Sequence, residues 1–345
     1  MSTQFFAHGK LMLTGEYFVL DGATSLAFPT KKGQSLEFKV SSLEFKVEWR
    51  SFDHLGNVWF ETEIDCKTLK SSNQNKVGQK LEQILRKARE LNPEFLREGG
   101  EVEVKSDFNL KWGFGSSSTL VSLIAQWASN VSNLGSFPAG EVRRGLVDPY
   151  QIQFECFGGS GYDIACATAK SPILYQKWPE PKSSAITIDY PFKKHLYFVY
   201  LGQKQDSREG IKHYRAMANE RKAEVIKELN AITNAVVQLG IKSKTAIESS
   251  KVLPPRAKLE GGKKNDEFGQ FCDLLKRHEE IVGKAIDTKP VQERLFSDFE
   301  GQTKSLGAWG GDFILAASSN EESKVFEYFK SKGFGTILKF NETVC

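Results

Sequence analysis

Residues Lys111, Trp112, Gly113, Phe114 and Gly115 are followed by three consecutive serines, Ser116, Ser117 and Ser118. An apolar series at helical spacing, Leu120, Leu123, Ile124 and Trp127, begins immediately afterwards. A glycine- and serine-rich turn at a helix start leaves backbone N–H groups without intrahelical acceptors. The helix dipole adds positive potential there, so an anion is a natural occupant. Glycines allow close approach of the main chain, serine hydroxyls supply donors or a metal ligand, and Lys111 adds a full charge. An ordinary serine N-cap after a flexible turn is the competing reading.

Three further glycine-bearing turns carry chemistry. His8-Gly9-Lys10 leads through an apolar run to Gly15-Glu16-Tyr17; Gly158-Gly159-Ser160-Gly161 leads to Tyr162-Asp163; and Gly307-Ala308-Trp309-Gly310-Gly311-Asp312 precedes the apolar run from Phe313. Phosphoryl transfer needs positioning and charge neutralisation more than covalent chemistry. A Gly/Ser loop, the lysines Lys10 and Lys111, a magnesium ion and the carboxylate of Asp163 could meet that need. Taken singly, Lys10 reads as a solvated turn lysine, and Asp163 equally as a carboxylate satisfying a helix N-terminus. Arg208, His213 and Arg215 could meet an anionic substrate, with a solvated basic face the favoured reading, and Lys304 also reads as solvated.

The order and partners of these turns resemble the GHMP kinase superfamily, from Gly9 to about Asp312. The resemblance is strongest to its phosphomevalonate kinases, whose Lys-Tyr-Gly-Leu-Gly-Ser-Ser loop and Gly-Glu-Tyr turn parallel Lys111 to Ser117 and Gly15 to Tyr17; the mevalonate kinases come next. It implies that Gly113, Gly115, Ser116, Ser117 and Ser118 bind the phosphates of ATP, with Ser117 on Mg²⁺. Asp163, Lys10 and Lys111 would be catalytic. Glu155, upstream of Asp163, is a candidate second magnesium ligand, although a partly buried or surface role fits as well. Glu16, Tyr17, Ser160, Gly307, Gly310 and Gly311 would contact the acceptor, with a structural hydrogen bond as the alternative for Glu16 and Tyr17. The sequence departs from the family at His8 and Leu306, where prolines are usual, and at Trp309, which replaces a glycine and could reshape the acceptor pocket. Trp112 and Trp309 read as packing residues, not as stacking platforms for a base.

The implied fold is α+β, the GHMP kinase two-domain fold: a ribosomal protein S5 domain 2-like, ATP-binding domain over residues 1–185, and a ferredoxin-like domain with extra helices over 186–345. The implied reaction is ATP-dependent phosphorylation of phosphomevalonate, or of mevalonate or another small alcohol. A diphosphomevalonate decarboxylase and a non-catalytic metabolite-binding regulator are the rivals.

The elements needed to position these residues are legible in the patterning. Gln4 to Ala7 and Leu11 to Thr14 read as strands around a turn at His8 to Lys10. Ser35 to Val40 and Ser42 to Val47 alternate at period two. Asn73 to Leu91, Arg215 to Leu239, Asp266 to Ile286 and Glu322 to Lys332 carry helical apolar stripes; Phe108 to Leu110, His195 to Tyr200 and Gly335 to Phe340 read as extended. A polar stretch from Lys258 to Asn265 reads as a loop. The 345 residues suffice for two cores, and 47 basic against 43 acidic residues give a net charge of +4, which does not call for nucleic acid. Five cysteines without CxxC spacing suggest neither disulfides nor zinc. No secretory signal and no membrane-length apolar run is evident, so a cytoplasmic monomer or homodimer acting on a small molecule is expected.

Overall fold

The computed structural model describes residues 2–41, 45–131, 146–202, 207–241, 266–307, 309 and 312–345. They group into two compact units, 1–10, 32–110 and 114–168 in the first, and 11–31, 111–113 and 169–345 in the second. The grouping interleaves along the chain, because strands β1 (Ser2–Thr14) and β2 (Ser25–Val40) each run through a unit boundary.

In the first unit the C-terminal part of β2 pairs antiparallel with β5 (Gly100–Ser106), Gln34 opposite Ser106 and Val40 opposite Gly100. β5 in turn runs parallel to β3 (Lys46–Phe52), which forms an antiparallel hairpin with β4 (Val58–Asp65). Alternation sends Val47, Trp49, Phe60, Ile64, Val102 and Val104 inward. Helix α1 (Lys76–Leu91) starts at Asn75, whose side chain accepts from the amides of Val77 and Gly78. Its Leu81, Ile84, Leu85 and Ala88 join the same core. Helix α2 (Ser116–Val131) is buried almost all round, with Trp127 between Phe38 and Phe95 at ring distances of 4.6 and 4.7 Å. Helices α3 (Pro149–Cys156) and α4 (Tyr162–Thr168) pack on α2.

In the second unit Ser25 to Ala27 of β2 pair with β6 (Ile173–Gln176), and β6 pairs with β7 (Lys182–Ala185). A separate antiparallel sheet has the order β11 (Ile337–Lys339), β8 (Leu196–Tyr200), β10 (Phe313–Ala317), β9 (Gln302–Ser305). Helices α5 (Ser207–Ala216), α6 (Asn219–Gln238), α7 (Glu267–Ala285), α8 (Val291–Leu295), α9 (Glu322–Ser331) and α10 (Phe340–Thr343) complete it, with α7 packed on both α6 and β9.

Local expectations differ in four places. β1 is one strand, not two around a turn, since Gly9 and Lys10 continue the alternation. Phe108 to Leu110 form a bend, pinned where Phe108 meets Phe114 at 5.6 Å. The helix expected from Arg215 is two helices broken at Met217-Ala218. β4 was not anticipated, although its exposed and buried residues alternate over Phe60 to Ile64. Ser42 to Glu44 and the stretch Lys258 to Asn265 lie outside the described residues.

Candidate active site

The phosphate-loop turn is built by glycine. Gly115 has φ +88°, and a Cβ there would lie 2.8 Å from Ser118 Oγ and 3.2 and 3.3 Å from two side-chain carbons of Lys10. Lys10 is tied to the same turn from β1, its N–H donating to the Phe114 carbonyl at 3.0 Å. The Gly115 carbonyl accepts from Thr119 N (2.9 Å) and from Ser118 Oγ (2.9 Å). Thr119 Oγ1 donates to Gln34 Oε1 at 2.6 Å. The hydroxyls of Ser118 and Thr119 are therefore spent on shaping the turn. Ser117 is exposed and Ser116 half-exposed. The amides of residues 116–118 precede the first intrahelical bond, as at any helix start.

Lys10 leads onward to the carboxylate. Its ammonium lies 5.5 Å from the centre of the Tyr162 ring. Burial pushes the Tyr162 phenol up from its ordinary value, while the charge of Lys10 and a hydrogen bond from it act in the opposite sense. Asp163 follows directly, half-buried in the first turn of α4, with Oδ1 accepting from the Ile164 N–H at 3.1 Å. The turn before it places Gly158, Gly159 and Gly161 at φ of 72°, 93° and 88°, a left-handed run few other residues could follow. Ser160 within it is buried. The first unit thus assembles Lys10, the helix mouth at Gly115 to Ser118, Tyr162 and Asp163. Tyr162 is the member that residue type did not flag, because aromatic residues in short helices ordinarily mean packing.

Glu155 does not join this group. It is largely exposed on α3, and its carboxylate pairs with Lys87 of α1 at 2.6 Å. Among the described residues no group of three or more His, Cys, Asp or Glu could hold a metal. The oxygens that suit Mg²⁺ here are the exposed Ser117 hydroxyl and the Asp163 carboxylate, both hard donors of the kind this ion takes alongside substrate phosphates.

The second unit holds the other candidates. Lys111 is exposed, and its carbonyl accepts from the Tyr200 hydroxyl at 3.0 Å. The Trp112 ring packs near-perpendicular to Phe313, 5.8 Å between centres. Gly113 has φ +68°, and any Cβ would collide with the Asp312 carboxylate at 1.9 Å. The first half of the loop is therefore seated on the ends of β8 and β10. Gly307 is left-handed at φ +63° with open space around it; Gly310 and Gly311 lie outside the described residues.

Lys304 is where the reading of a solvated side chain needs correction. Lys304, read as solvated, is completely buried in β9 and ion-paired with Glu16 Oε1. Its ammonium also donates to the Ser305 carbonyl at 2.8 Å. Glu16, expected at the acceptor, is 1% exposed. The partners are 288 residues apart, so nothing local signals the pair. Tyr17 is also buried, with φ 60°, against Tyr214 at 5.9 Å. Trp309 is 2% exposed in the cluster of Tyr17, Phe18, Tyr214 and Val282, and its ring lies 3.2 Å from where a Cβ on Gly283 would project. It is a packing residue, accommodated by a glycine on α7. His213 and Arg215 are exposed; the Arg208 side chain lies outside the described residues.

The sequence matches no protein-family model and none of the curated proteins. Solved structures, however, match it along its length. A mevalonate kinase from Methanococcus jannaschii aligns over 98% of this chain and 97% of its own, with TM-score 0.65 and 16% identity. A galactokinase from Lactococcus lactis, complexed with galactose, aligns over 97% and 92%, with TM-score 0.64 and 14% identity. A phosphomevalonate kinase from Streptococcus pneumoniae, in complex with phosphomevalonate and AMPPNP, aligns over 96% and 95%, with TM-score 0.60 and 15% identity. The chain has the two-domain, mixed α/β fold of the GHMP kinases.

Proposed function

We propose that the protein is an ATP-dependent small-molecule kinase that transfers the γ-phosphoryl group to phosphomevalonate. The observation that carries this reading is the convergence, within one unit, of Lys10, the α2 mouth at Gly115 and the Tyr162-Asp163 turn. The amides of Ser116 to Ser118 would bind phosphate oxygens, Lys10 and Lys111 would neutralise them, and Ser117 would hold Mg²⁺, with Asp163 near the acceptor. Bound Mg²⁺ would supply further neutralisation of the β- and γ-phosphates. An acceptor oxygen attacks the γ-phosphorus, the bond to the bridging oxygen breaks, and ADP leaves. With a phosphate acceptor the attacking oxygen is already ionised, so Asp163 orients without taking a proton. Ser160 is the further acceptor contact within this unit.

Mevalonate is the second reading, favoured by the likeness in fold to a mevalonate kinase at TM-score 0.65. There the acceptor is an alcohol, and Asp163 would remove its proton. One assay series decides between them: MgATP with mevalonate, phosphomevalonate, diphosphomevalonate and a sugar panel, following ADP and CO₂. ADP with phosphomevalonate alone supports the first reading, and with mevalonate alone the second. Release of CO₂ identifies a decarboxylase, and binding of ATP without turnover a regulator.

A further inference from the structure

Gln153, in the last turn of α3, is a buried polar side chain that the proposed chemistry does not use; it is 5% exposed. It grips the chain that follows. Its backbone carbonyl accepts from Phe157 N (2.8 Å) and Gly158 N (2.9 Å), and its side-chain Nε2 donates to the Gly158 carbonyl at 3.2 Å. One residue therefore holds both the N–H and the C=O of Gly158, the first glycine of the left-handed run before Asp163.

Stability does not explain the side-chain bond. The other amide atom, Oε1, is also buried and has no hydrogen-bond partner among the described residues. A buried acceptor left unpaired costs at least as much as one neutral hydrogen bond contributes. Gly158 is half-exposed, so without the amide its carbonyl could turn to water. An apolar side chain of the same length would serve the core as well. What the amide adds is a fixed position.

Side-chain packing does not supply that position. A Cβ placed on Gly158 or Gly159 would meet nothing within 4 Å. Hydrogen bonds anchor the turn at its two ends instead. At the entry, Lys80 of α1 donates to the Cys156 carbonyl at 2.7 Å, and its ammonium lies 4.9 Å from the centre of the Phe157 ring. At the exit, the Gly161 carbonyl accepts from Ile164 N (3.1 Å) and Ala165 N (3.2 Å), in the first turn of α4 where Asp163 lies. All of these residues belong to the first unit.

We propose that Gln153, braced by Lys80, is a positioning residue: its amide sets the height of the turn over 158–161 and so the place to which Ser160 and Asp163 are delivered. The effect on turnover rests on the kinase reading above; the hold on the turn does not.

The test compares the wild type with Gln153→Met, which keeps the side-chain length and removes the amide, and with Lys80→Met, which keeps the stem and removes the ammonium. Hydrogen exchange, read by mass spectrometry over peptides covering 157–165, should be about tenfold faster in Gln153→Met and also faster in Lys80→Met, with β5 unchanged. The melting temperature of Gln153→Met should stay within about 2 °C of the wild type or rise. With an acceptor that the wild type turns over, kcat should fall about tenfold or more in Gln153→Met and about threefold in Lys80→Met. Affinity for a non-hydrolysable ATP analogue should stay within about twofold in both. Unchanged exchange in either variant overturns the hold on the turn, and faster exchange with wild-type kcat overturns the positioning role. Loss of folding in Gln153→Met, or a melting temperature lowered by more than about 5 °C, makes the amide a structural requirement and overturns the proposal as well. If the wild type turns over no acceptor, the kinase reading falls and the kcat comparison with it, while hydrogen exchange still decides what holds the turn.

Discussion

At the scale of single residues, the proposed reaction gives Lys10 and Asp163 separable duties. Lys10 is fixed by its backbone bond to Phe114 and lies over Gly115, which under that proposal sets its ammonium on the phosphate side. Lys10→Met should lower kcat/KM by about 10²–10³, read from initial rates at subsaturating acceptor. The proposal assigns Asp163 to the acceptor. Asp163→Asn should cut turnover by about 10²-fold or more while the affinity for a non-hydrolysable ATP analogue, measured by calorimetry, stays within about twofold. Unchanged turnover would remove Asp163 from the mechanism.

At the scale of the element, the start of α2 turns Ser118 inward and leaves Ser117 exposed. Ser118 Oγ donates inward to the Gly115 carbonyl, so Ser118→Ala should cost about 1 kcal/mol of stability in a urea titration. Ser117 faces outward and its replacement by Ala should change stability by less than about 0.5 kcal/mol, yet raise the Mg²⁺ concentration needed for half-maximal rate. The reverse pattern would exchange their roles. Gly115→Ala combines a left-handed backbone with a contact to Ser118, and about 1–3 kcal/mol should be lost.

At the scale of the whole molecule, stability against pH should register the burial of Glu16 and His278. A carboxyl raised from 4.5 to about 7 in the folded state contributes stability that is full below 4.5 and lost as pH climbs through about 7. That loss is on the order of 3 kcal/mol, and Glu16→Gln should abolish it, so the two proteins' unfolding free energies should diverge over this window. His278, held neutral, has the opposite sign: its contribution is present above 6.5 and fades as pH falls. The two partly cancel near pH 6 in the wild type, and only the variant separates them. Lys304→Met leaves two buried carboxylates without their cation and should cost about 3–5 kcal/mol. Among the described residues no helix is long and apolar enough to cross a membrane.

The sequence by itself determined what depends on near neighbours: the glycine turn that opens α2, the glycine-rich turn before Asp163, the helix stripes, and the α+β fold that their order implies. Each is a relation among residues a few positions apart, where backbone sterics and helical periodicity leave few alternatives. Tertiary structure alone decided which polar side chains face which. It buried Lys304 against Glu16, turned Glu155 to Lys87, set Trp309 against Gly283, and brought Tyr162 beside Lys10. A charged side chain has the same local pattern whether it ends in water or in a core. Only the partner that packing delivers, from a distant stretch of chain, offsets the desolvation cost and fixes which of the two it will be.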